Sequence, residues 1–154
     1  MITLLLIIHG LLAMALVGAI THQALAACWP TRGSGGDLVA RFRAVSGPVY
    51  TNTVVVLFVL TFVLGSTIYP SYRVGVRNYL ISFRLLTPEG AFEVKEHFAA
   101  IGLGLLPVYW LLWRGKPVGW ERVRDIVTVV LAVIVWLSFV VGHVLNNIRG
   151  LYGA

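Results

Sequence analysis

Apolar residues fall along this chain in four long stretches separated by short polar connections. They span about residues 2–26, 49–69, 88–113 and 123–147. A helix of about 20 apolar residues is long enough to cross the hydrocarbon core of a bilayer. The pattern therefore predicts an all-α fold, a single transmembrane domain over 1–154 built as an integral membrane four-helix up-down bundle.

Local signals set the expected ends. Pro48 suits a first helical turn, where its missing N–H costs little, and Pro70 is read as the stop of the second span. Thr87 is read as an N-cap, with Pro88 opening the third span. The fourth ends against Gly150. Tyr50, Tyr69, Tyr109, Trp110, Trp113 and Trp120 lie near span ends, where an interfacial aromatic belt is expected.

Two connections are more than turns. Gly33 to Gly36 reads as a flexible stretch before a short, mixed segment, Asp37–Ser46. Between spans 2 and 3, Arg73, Arg77 and Arg84 fall within roughly 40° of one another on a helical projection. Tyr72, Val76, Tyr79, Leu80 and Phe83 fill much of the remaining surface, which predicts an amphipathic segment in the headgroup region. Leu25-Ala26-Ala27-Cys28 has the form of a lipoprotein cleavage box. No Lys or Arg precedes the apolar run before it, so it reads as a retained span.

Composition sharpens this picture. Of 154 residues, 58% are hydrophobic and 12% charged, against about 25% charged in a soluble domain. The net charge of +6 resides in short loops between apolar runs, so its expected partner is anionic lipid and not nucleic acid. One cysteine, Cys28, excludes an internal disulfide and any cysteine-based metal site within the chain. No hydrolytic motif and no phosphate-binding loop is present, so no catalytic residue is assigned.

With the N-terminal side called side A, side B carries Arg32, Arg41, Arg43, Arg114, Lys116, Arg122 and Arg124. Side A carries Arg73, Arg77, Arg84, Lys95 and Arg149. The excess makes side B cytoplasmic in a bacterial inner membrane, with both termini periplasmic.

Candidate chemistry comes from histidine, which is costly in hydrocarbon and marks a functional site by default. His9, His97 and His143 lie on three different spans at similar depth toward side A. His9 is about 10 Å past Ile2, and His143 about 6 Å before Asn147, at 1.5 Å per residue. His22 lies toward side B and is turned by about 220° from His9. One site is therefore expected, not two.

Three occupants suit these residues. The first is haem b, ligated by His9 and His97 with His143 the substitute for either, passing electrons to or from a quinone or a partner redox protein. Ala13, Ala100, Gly104 and Gly142 are the small neighbours that would flank it. The second is copper or zinc on the same three histidines, joined by Glu93 or Glu96. With only Met1 and Met14, the chain has no methionine cluster for copper(I). The third is a quinone or lipid headgroup near Tyr69, Tyr72, Arg73, Lys95 and His97. A non-catalytic accessory subunit of a larger membrane complex, or a homo-oligomer within the membrane, is the alternative without chemistry.

Ile68-Tyr69-Pro70-Ser71-Tyr72-Arg73 and Phe92-Glu93-Val94-Lys95-Glu96-His97, with a histidine early in the first span, resemble a class of small bacterial four-helix membrane proteins. That class is loosely similar to the copper-resistance D membrane family and to four-helix b-type cytochromes. The resemblance implies metal or haem binding at His9, His97 and His143.

Overall fold

A computed structural model describes residues 2–28, 47–115 and 118–151, and the side chains of these except at 47, 48 and 149–151. The expected Gly33–Gly36 stretch and the segment Asp37–Ser46 lie outside the described residues, as do Arg32 and Lys116. The elements are α1 (Ile2–Cys28), α2 (Gly47–Ser71), a π-helical turn (Tyr72–Val76), α3 (Arg77–Ser82), α4 (Leu86–Gly115) and α5 (Glu121–Leu151). Four helices are long and apolar enough to cross a membrane, and the chain is an all-α four-helix bundle.

The helices form a closed ring in the order α1, α2, α4, α5, with α5 returning to α1. The core cluster is drawn from all four, with Ile20, Val54, Tyr109 and Leu131 fully buried at its centre. Many other large apolar side chains, such as Leu4, Val63, Leu111 and Val133, point outward. In water this would be a liability; in lipid it is the solvated state.

Polar bonds pin the bundle from its middle toward side B. Gln23 donates to Thr51 (3.0 Å) and joins α1 to α2. Trp110 donates to Asn52 (3.1 Å) across α2 and α4. Trp113 donates to Thr128 (2.9 Å) across α4 and α5, and Trp136 to Thr21 (2.9 Å) across α5 and α1. Each adjacent pair in the ring thus has its own bond. Tyr109 closes the centre by donating to Gln23 Oε1, so Gln23 is satisfied on both sides of its amide. In hydrocarbon an unpaired amide would be costly, which makes such a network position-specific.

Four sequence expectations change here. Tyr109 is not an interfacial residue: it is fully buried in the Gln23 network. Pro70 does not end the second span, because the helix continues through it and into the π turn and α3. Interior proline is tolerated in membrane helices where neighbours compensate, and here Tyr72 stacks on Phe92 at 3.7 Å while Arg77 pairs with Glu89 at 2.8 Å, both on α4.

Of the arginines between spans 2 and 3, Arg84 is the one that leaves the expected face. The π turn, in which Arg77 N–H bonds the Tyr72 carbonyl, does not part Arg73 from Arg77, because four residues at either pitch come close to a full turn. Arg84 lies beyond α3, at φ +56°. It occupies the left-handed position of a Schellman motif: Leu85 N–H bonds the Leu80 carbonyl and Arg84 N–H that of Ile81. α4 starts at Leu86, two residues before Pro88, so Thr87 is not the N-cap and both Thr87 and Pro88 sit within the first turn.

Candidate functional site

Toward side A the bundle opens into a cavity of about 730 Å³, within the size range of small-molecule and cofactor sites. All four spans wall it: α1 from Ile2 to Val17, α2 from Phe58 to Ser66, α4 at Lys95, Glu96 and Ala99, and α5 from Val135 to Asn146. Leu16, Val17, Phe58 and Val135 belong both to its lining and to the buried core, so its inner end is apolar. Gly10, Ala13, Gly65, Ala99 and Gly142 keep its walls low, as a flat ligand between helices requires.

His9 projects from α1 and lies against α2. Its Cε1 would be 3.2 Å from a Cβ added at Gly65, so the glycine is what lets the ring sit there. The Thr61 carbonyl interacts with the imidazole, and Lys95 and Glu96 act on it electrostatically. Nδ1 itself is buried without a hydrogen-bond partner. Two further lining groups share that condition, the hydroxyls of Thr61 and Ser138. Buried polar atoms are normally paired. Three unpaired ones around a single cavity mark a place prepared for polar contact with something else.

His143 also lines the cavity, from α5, with its ring stacked parallel on Phe139 at 6.4 Å. The site therefore carries two histidines on adjacent helices. His97 is not part of it. It is exposed, bonded through Nδ1 to the Glu93 carbonyl at 2.7 Å, and absent from the lining. Ala100 and Gly104, its presumed flank, are likewise exposed, and Gly104 has open space around it. The cavity meets the residues one step earlier, Glu96 and Ala99. One residue is about 100° on a helix, enough to turn a side chain from the interior to the lipid.

Among the described residues, no group of three or more His, Cys, Asp and Glu is placed to hold a metal ion. The three-histidine copper or zinc arrangement, with Glu93 or Glu96, is thus not assembled. His22 lies elsewhere, beside Tyr50 at 6.2 Å.

Comparison with family models, with curated proteins and with solved structures finds no match.

The tyrosines and arginine expected to form a headgroup site make a layer beside the cavity. Tyr69, Tyr72 and Phe92 stack together, and Arg73 donates to Tyr69 OH at 3.1 Å. Lys95 joins this layer to the cavity, since its Nζ lies 4.4 Å from the Phe92 ring while the residue lines the cavity wall. Sequence reasoning missed Thr61, Gly65 and Ser138. None carries a signal in the sequence, because small and hydroxyl residues in an apolar span also serve ordinary helix packing.

Proposed function

We propose that this protein is a b-type haem protein of a bacterial inner membrane, passing electrons to or from a quinone or a partner redox protein. The observation that carries the reading is the pair of histidines, His9 and His143, lining one cavity around which three buried polar atoms lack partners. The donor set fits the group. Imidazoles on helices of a bundle are common haem ligands, the small residues leave room for a planar macrocycle, and Lys95 offers a cation for its propionates. His9 and His143 would hold the iron, in place of His9 and His97. Haem, when bound, supplies a one-electron couple.

The chain's own residues do the rest. The apolar inner end excludes water from the ligand, and Gly65 and Thr61 fix the orientation of His9. The aromatic layer of Tyr69, Tyr72 and Phe92 offers a stacking surface next to the cavity for a quinone ring. The excess of basic residues on side B supports periplasmic termini, which puts the cavity in the periplasmic half of the bilayer. Titration of the purified apoprotein with haem tests the proposal. A Soret band saturating at one haem per chain is expected; failure to develop one would refute it.

A further inference from the structure

Lys95 and Glu96 are consecutive residues on α4, yet their side chains meet at 2.6 Å. Neighbours one apart do not face each other on a helix, so both side chains must bend toward a common space. That space is the cavity, which both residues line. The two are not held alike. The Lys95 side chain is 16% exposed and rests over Phe92, whereas that of Glu96 is 40% exposed. A cation is held against the cavity wall, and its carboxylate partner is the more exposed member.

We propose that the cavity captures its occupant by a carboxylate group, with Lys95 as the counter-ion and Glu96 as the internal carboxylate that the ligand displaces. The ligand class is an amphipathic carboxylate: an apolar body against Phe58, Leu16 and Val135, and a charged end at Lys95. The unpaired hydroxyls of Thr61 and Ser138 supply further polar contacts along the wall. This deepens the haem reading, since haem carries two propionates, and it rests on the same cavity being the ligand site.

The test uses the full-length protein in lipid nanodiscs and two matched pairs of probes. One pair is haem and haem dimethyl ester; the other is a fluorescent polyene fatty acid and its methyl ester. Wild-type protein should bind each acid about tenfold more tightly than its ester, the scale of one charge-assisted hydrogen bond. Lys95→Gln should erase the difference, Lys95→Arg should keep it, and Glu96→Gln should tighten acid binding severalfold by removing the competitor. Equal binding of acid and ester by the wild type, or a preference that survives Lys95→Gln, would overturn the proposal. The wild-type comparison needs no variant to fold. Preference for the fatty acid without any porphyrin binding would retain the carboxylate site while ending the haem reading. Porphyrin binding without acid preference would do the reverse.

Discussion

The imidazole of His9 rests on the bare backbone of Gly65, close enough that a Cβ at residue 65 would approach its Cε1 to 3.2 Å. That spacing is tighter than ordinary contact but short of a hard clash, and the ring has an open cavity beside it. Gly65→Ala should therefore push the imidazole and leave the bundle intact. The expected result is haem affinity about tenfold weaker, or about 1.4 kcal/mol. Folding stability should change by less than about 1 kcal/mol. Haem titration and thermal unfolding of the same preparation measure the two effects.

Gly102 presents the opposite case. A Cβ there would lie 2.7 Å from Phe58 Cζ and 3.1 Å from Ile134 Cγ2, between α2 and α5. Both neighbours are buried, and overpacking a tight core costs about 1–3 kcal/mol. Gly102→Ala should destabilise the bundle by that amount in denaturant unfolding from detergent micelles. Because Phe58 also walls the inner end of the cavity, ligand affinity should fall with stability.

The Gln23 network has its own signature. Tyr109→Phe leaves Gln23 Oε1 without its donor, and Gln23→Leu takes Gln23 away from both Thr51 and Tyr109 while leaving those two beside each other. Interhelical bonds of this kind in membranes average about 0.6 kcal/mol, with a maximum near 1.7. A double-mutant cycle on Tyr109 and Gln23 should give a coupling energy within that range. A value of zero would mean that the bond contributes nothing to holding α1 against α4.

Arg84 sits at φ +56° where a helix usually ends on glycine. Arg84→Gly removes the left-handed penalty, about 1 kcal/mol, against glycine's larger entropy in the unfolded chain. The net expectation is a small stabilisation of the α3–α4 connection, visible as slower limited proteolysis between Leu80 and Leu86. Faster cleavage would show that the arginine side chain matters more than the backbone strain.

Much of the fold was legible in the sequence because the bilayer imposes length and hydrophobicity on every span. Depth was legible too, since rise per residue converts position into height: His9 and His143 do line one cavity. Azimuth was not. In the polar run Glu93–His97 no apolar stripe says which residue turns inward, and the fold turns Glu96, not His97, to the cavity. Pro70 misled for a related reason. The contacts that carry the helix past it, Tyr72 on Phe92 and Arg77 with Glu89, join residues distant in sequence. Tyr109 read as a residue near a span end until the tertiary fold paired it with Gln23 in the core.

The most direct measurement is the Soret absorbance per mole of protein for wild type, His9→Ala, His143→Ala and His97→Ala, all expressed with ample haem supply. The expected result is a Soret band in the wild type, unchanged in His97→Ala, and lost or strongly shifted in His9→Ala and His143→Ala. A wild type without a Soret band, or His9→Ala and His143→Ala proteins that keep the wild-type spectrum, would contradict haem binding in the cavity between them.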